Sequence, residues 1–206
     1  MVWQKGADIR MTTRTWKSET EKYRHLTAWY CQGCGVDVAS QGDPVVPWAI
    51  NFDLPEEEFA YYNSNHHPHG PIQLRGHADK LPFESNSLDF LYSSHLLEDF
   101  TEWTPVLEEW VRVIKPGGHL VILIPDRDLW VAACAAGQPP NDAHRHEGHA
   151  GELSTHSEAL GIRVIKDELT NLWDLDYSIL FVAVKNQAAP GFGCLSEPLR
   201  EHSDKG

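Results

Sequence analysis

Several side chains in this sequence have the types and spacing to do chemistry. Histidine is abundant, with 12 residues, and concentrates in His66-His67-Pro68-His69 and in His144-Arg145-His146-Glu147-Gly148-His149. Neutral imidazoles are good metal ligands wherever three converge, so the HxHxxH spacing of the second cluster is a candidate metal site. Cys31 and Cys34 form a CxxC, which is half a structural zinc site or a redox pair. His95 stands apart from the clusters, directly after Ser94, and an imidazole with an ordinary pKa near 6.5 suits a proton acceptor.

The metal and redox readings are the weaker ones. A structural zinc needs two ligands beyond the CxxC, and a redox pair should open a helix, whereas this pair runs into a strand. The cysteines therefore read as two small residues at a strand entrance. The HxHxxH run resembles the zinc ligands of metallo-hydrolases, but Gly148 stands where their aspartate would be. It reads instead as part of a polar lid over a substrate pocket, with no metal ligand assigned.

Composition narrows the setting. A chain of 206 residues suits one compact domain. The net charge of −13 repels a phosphate backbone, so bare nucleic acid is excluded as a partner. No apolar run approaches the roughly 20 residues that span a bilayer, and the first residues lack an apolar leader. Four cysteines are too few for a disulfide scaffold, so a reduced, cytoplasmic protein is expected. Oligomeric state stays open, the eight tryptophans leaving room for a homodimer.

The elements that must position these groups follow from periodicity. Residues 15–30 carry Trp16, Tyr23, Leu26 and Tyr30 at loose helical spacing. Strands are expected at 33–40, 48–54, 72–78 and 88–94. Pro55 with Glu56, Glu57 and Glu58 favours a short helix whose acids cap its first turn. Trp103, Val106, Leu107, Trp110, Val111 and Ile114 make one apolar stripe, with Thr104 as cap, Pro105 at the first helical position and Lys115-Pro116-Gly117-Gly118 as the stop. The unbroken run His119 to Pro125 predicts a central parallel strand. A helix near 150–160 should stop at Gly161, and strands at 163–169 and 177–185, joined by few residues, should pair antiparallel.

The fold class is thus α/β: a Rossmann-like three-layer sandwich with a mostly parallel seven-stranded sheet and a C-terminal antiparallel hairpin. Residues 1–32 are read as an arm and leading helix, 33–186 as the domain, and 187–206 as a disordered tail. Ligands should bind outside the carboxyl ends of the strands.

The segment from Gly76 to Asp126 resembles the class I S-adenosylmethionine-dependent methyltransferases. The resemblance rests on His77-Ala78, Leu81-Pro82-Phe83, Leu88 to Leu91, Leu97-Glu98-Asp99 and Pro116-Gly117-Gly118, which stand in the family's order. It implies methyl transfer from S-adenosylmethionine, leaving S-adenosylhomocysteine, to a small molecule or a sugar or nucleotide derivative. It also assigns the site. Asp53 would accept bonds from the ribose hydroxyls, and His77 and Ala78 would line the adenine. Asp37, Ala39 and Gly42 would hold the methionine end, Ser94 would sit at the fourth strand's end, and His95 would be the base. From topology rather than from the resemblance, Tyr30, with Tyr23 and Arg24 on the leading helix, would close as a lid, and Arg127, after the fifth strand, would hold an anionic substrate group.

Two departures from the family's pattern stand out. Ala39 and Gln41 occupy positions where glycine would let backbone approach the cofactor, and His77 replaces an aspartate. A non-catalytic relative is therefore the alternative, with a histidine-rich metal protein behind it. A nicotinamide dehydrogenase is set aside, because no GxGxxG follows the first strand.

Overall fold

The computed structural model describes residues 17–62, 68–172 and 176–187. Trp16, His66, His67 and the tail from residue 188 lie outside the described residues.

Seven strands form one sheet: β1 (Gly35–Val38), β2 (Ile50–Asp53), β3 (Leu74–Arg75), β4 (Leu88–Ser94), β5 (Ile114–Pro125), β6 (Ile162–Leu169) and β7 (Ser178–Lys185). Their order is β3-β2-β1-β4-β5-β7-β6. Neighbours among the first five run parallel, while β7 pairs antiparallel with both β5 and β6. The direction of winding reverses between β1 and β4, and such a switch point opens a crevice at the strands' carboxyl ends.

Alternation along the central strands explains the layers. Leu91, Leu120, Ile122, Ile124, Ile179 and Phe181 point to one face, where Trp103, Val106, Leu107 and Trp110 of α3 (Trp103–Val113) cover them. Phe90, Tyr92, Val121, Leu123, Leu180 and Val182 point to the other, under Tyr23 of α1 (Glu19–Thr27) and Val45 and Val46. Both faces are dry, which is why His119 to Pro125 reads as a continuous apolar run. Each fully buried aliphatic side chain contributes about 1.5–3 kcal/mol.

Local differences from the sequence reading have physical causes. The helix α3 starts at Trp103, so Thr104 is not its cap, and the Thr104 hydroxyl lies 3.4 Å from His156 Nδ1. No break separates α3 from β5. The strand begins at Ile114 and carries the Pro-Gly-Gly, and a Cβ at Gly118 would fall 2.7 Å from the Asp89 carbonyl oxygen. The third strand shrinks to two residues at the sheet edge. Among the described residues three further α-helices follow: α2 (Glu56–Tyr62), α4 (Arg127–Ala135), capped by the Asp126 carboxylate, and α5 (Ser157–Leu160), ended by Gly161 at φ 62°.

Candidate active site

A cleft of about 470 Å³ opens at the carboxyl ends of β1, β2 and β4, within the roughly 300–1,000 Å³ typical of small-ligand sites. Its first wall is the turn after β1. Ala39 and Gln41 both take left-handed backbone, at φ 64° and 48°, the conformation that glycine adopts without strain. The chain then reaches β2 without a helix. Asp53, at the end of β2, fixes this turn: its carboxylate accepts the Gln41 amide at 2.8 Å and the Leu54 amide at 2.9 Å. Burial pushes the Asp53 carboxyl up from its ordinary range, against those two amides and the Arg75 charge.

The second wall is the turn after β3. Its residues His77, Ala78 and Asp79 line the cleft. Ala78 is held from behind, since its carbonyl accepts the Trp110 indole N–H at 2.8 Å. His77 Nε2 lies 3.4 Å from Glu58 Oε1 of α2.

The floor is the end of β4, where Ser94 and His95 line the cleft. His95 takes left-handed backbone at φ 53° and turns its ring beneath the cleft between Tyr23 and Tyr177. Ser178 donates its hydroxyl proton to Tyr23, whose own proton goes to Asp176, so Ser178 Oγ accepts from His95 Nε2 at 3.0 Å. The other nitrogen, Nδ1, faces the fully buried Glu98 carboxylate at 3.4 Å. Burial pulls the His95 pKa down, but the facing carboxylates of Glu98 and Glu19 outweigh it and the net direction is up. The imidazolium can donate toward both neighbours, Ser178 and Glu98.

Of the residues assigned from sequence, Ala39, Asp53, His77, Ala78, Ser94 and His95 thus meet at one cleft. Three do not. Tyr30 packs 5.7 Å from the His119 ring, and His119 pairs with Phe90 near the amino end of β4, at the opposite end of the strands from the cleft. Asp37 is buried under the turn, accepting the Val45 amide at 2.7 Å, and burial holds its carboxyl well above the usual range. Gly42 serves another backbone: a Cβ there would fall 2.2 Å from the Gly70 carbonyl oxygen. Tyr23 and Arg24 do not form an open lid either. Tyr23 is tied to Ser178 and Asp176, and Arg24 pairs with Asp43 at 3.0 Å. Arg127 is exposed on α4 and does not line the cleft.

The structure adds residues to the cleft beyond those assigned above. Asp99, Phe100, Asn141 and Arg145 close the end of the cleft beyond β4. The Arg145 and His146 amides both donate to the Glu98 carbonyl, which lays this segment across the turn after β4. The HxHxxH histidines diverge: His144 packs 5.0 Å from the Trp130 ring, His146 stacks on Trp103, and His149 lies 4.0 Å from Asp126. Cys31 is buried and Cys34 exposed, and both thiols are free. Among the described residues no helix is long and apolar enough to cross a membrane.

Residues 31–122 match a family model described as a methyltransferase domain. Over 50 residues the chain is 42% identical to demethylmenaquinone methyltransferase of Bacillus pumilus and 40% identical to that of Bacillus cereus. Those matches cover 24% of the chain and only 21% of either relative's length. Solved structures share the fold at low identity. An S-adenosylmethionine-dependent methyltransferase of Mesorhizobium loti aligns with a TM-score of 0.58 at 18% identity, over 82% of this chain and 98% of that one. A Haloferax volcanii methyltransferase in complex with the Trm112 methyltransferase activator aligns at 0.57 and 18%, over 83% and 90%. The domain match runs through the first four strands and the turns that build the cleft, so residues 31–122 are similar to a methyltransferase domain, and the chain shares the fold of these solved structures.

Proposed function

We propose that this chain transfers the methyl group of S-adenosylmethionine to a small molecule or to a sugar or nucleotide derivative. The observation that carries the reading is the Asp53 carboxylate, set in the cleft between the left-handed turn of Ala39 and Gln41 and the His77-Ala78-Asp79 turn. Each carboxylate oxygen already accepts one amide and keeps a second lone pair, which suits two ribose hydroxyls. The Ala78 carbonyl already accepts the Trp110 N–H, and an adenine edge would be met by amide N–H groups of that turn or by the His77 ring. The cofactor, when bound, supplies a methyl group already activated by its sulfonium. The protein's own part is then to hold the acceptor in line, keep water out and take up a proton.

The likeness to demethylmenaquinone methyltransferases makes demethylmenaquinone the first acceptor to assay. The free thiols support a cytoplasmic setting. A non-catalytic cofactor binder is the second reading, favoured by the side chains of Ala39 and Gln41 in a turn that glycine would leave bare. Calorimetric titration with S-adenosylhomocysteine tests the shared premise. Saturable one-to-one binding is expected, and its absence would remove both readings. Formation of S-adenosylhomocysteine from S-adenosylmethionine in the presence of acceptor then separates the enzyme from the binder.

A further inference from the structure

One carboxyl group at the far end of the cleft is placed unlike the others. Asp99 follows Glu98 in the turn after β4 and lines the cleft beside Phe100, Asn141 and Arg145. Its Oδ1 is buried with no hydrogen-bond partner, and no ion pair engages it among the described residues. Behind it lies Glu98, fully buried, its carboxylate 3.4 Å from His95 Nδ1 and 3.7 Å from His144 Nε2. Arg145 faces Asp99 from the covering segment, and Asp53, Glu58, His77 and Asp79 stand on the walls formed after β2 and β3. Two of the cleft's other acid–base candidates are engaged: both Asp53 oxygens accept amides, and the His95 nitrogens face Ser178 and Glu98.

We propose, on the basis of the methyltransferase reading, that Asp99 faces the methyl acceptor and takes its proton, with Glu98 and His95 as positioning residues beneath it. The acceptor this suits bears hydrogen on its reacting atom, as a hydroxyl or an amine does. The proton passes to an Asp99 carboxylate oxygen, and the electron pair of the broken bond to hydrogen remains on the acceptor atom. The acceptor atom's pair forms the new bond to the methyl carbon, and the pair of the broken carbon–sulfur bond stays on sulfur. Burial, with the adjacent Glu98 charge, raises the Asp99 carboxyl to about 7 against the pull of His95 and Arg145. Both protonation states are therefore populated near neutrality, where a proton carrier works best.

The test follows the Asp99 carboxyl carbon by NMR in protein labelled at aspartate, with Asp99→Asn to assign the signal and Asp99→Glu as the second variant if the first does not fold. A titration midpoint near 7, well above the ordinary value of about 4, is expected, and Glu98→Gln should move it down. A midpoint near 4 overturns the proton-carrying role, and an unmoved midpoint in Glu98→Gln overturns the positioning role of Glu98. Calorimetry with S-adenosylhomocysteine supplies the second arm. Affinity in Asp99→Asn should stay within about threefold of the parent, as a group on the acceptor side requires, since about 1.4 kcal/mol would be needed for a tenfold change. A tenfold loss would make Asp99 a cofactor contact and overturn the proposal. Failure of the parent protein to bind S-adenosylhomocysteine would instead overturn the methyltransferase reading, while the NMR midpoint would still report on Asp99.

Discussion

The Asp53 carboxylate accepts the Gln41 amide at 2.8 Å, so the strand end that should meet the ribose also holds the turn that should meet the methionine end. One acid thus joins the two halves of the proposed cofactor site across β1 and β2. The turn lacks the glycines that would relax it, since Ala39 and Gln41 hold left-handed backbone at roughly 1–2 kcal/mol each. A fixed hydrogen bond from Gln41 offsets part of that strain.

Replacing this acid should therefore damage both halves together. Asp53→Ala removes two charge-assisted acceptors, each worth about 1.5–3 kcal/mol. Affinity for S-adenosylhomocysteine by calorimetry is expected to fall at least about tenfold. Asp53→Asn, which keeps one acceptor oxygen, should lose less. Equal affinity in Asp53→Ala and the parent protein would remove the ribose from this position.

Gly42 makes a purely structural prediction. It sits at φ 75°, and a Cβ there would meet the Gly70 carbonyl oxygen at 2.2 Å, with the Gly70 nitrogen at 2.5 Å. Backbone cannot step aside as a side-chain tip can. Gly42→Ala should cost at least about 2 kcal/mol from conformation and overlap together, read as a lower midpoint in urea denaturation. Gly137→Ala is the control, because its added carbon meets nothing within 4 Å and only the φ of 111° is strained.

The pH dependence of stability should carry the mark of His95. Its folded pKa lies above the unfolded value of about 6.5, so its contribution is complete below that pH and is lost as pH rises through the folded value. The thermal midpoint of the parent protein should therefore fall above about pH 6.5. His95→Gln keeps a donor for Ser178 but no titratable charge beside Glu98, and its midpoint should fall less over the same range. Identical slopes in the two proteins would show that the pair with Glu98 does not hold the proton.

What the sequence made legible followed the strength of local signals. The stripe from Trp103 to Ile114 and the run from His119 to Pro125 are strong local signals: the helix stands where its stripe puts it, and the strand contains its run but begins earlier, at Ile114. Strand ends were legible too, which is why Asp53, Ser94 and His95 were drawn to one cleft. Tyr30 failed because helical spacing does not report which end of the sheet a helix reaches, and the chain after α1 runs to the amino ends of the strands. Gly42 failed because its partner, Gly70, is distant in sequence. Asp99 and Arg145 went unassigned for the same reason: only the amides of Arg145 and His146, bonded to the Glu98 carbonyl, bring residues 141–146 over the cleft.

The link between core and site is most exposed at Trp110. Its ring is fully buried on α3, and its N–H donates to the Ala78 carbonyl at 2.8 Å, fixing the turn proposed to meet the adenine. Trp110→Phe removes the donor and leaves that carbonyl without its partner, which costs about 1–3 kcal/mol before any cavity is counted. The smaller ring adds a void that neighbouring Leu81 and Val106 cannot fill without moving. Two effects should appear together: a lower midpoint in urea denaturation and weaker S-adenosylhomocysteine binding at temperatures where the variant is still fully folded. A variant that loses stability but binds as tightly as the parent would show that the turn is set by its own backbone, through the Lys80 amide bonded to the His77 carbonyl, and not by the core beneath it.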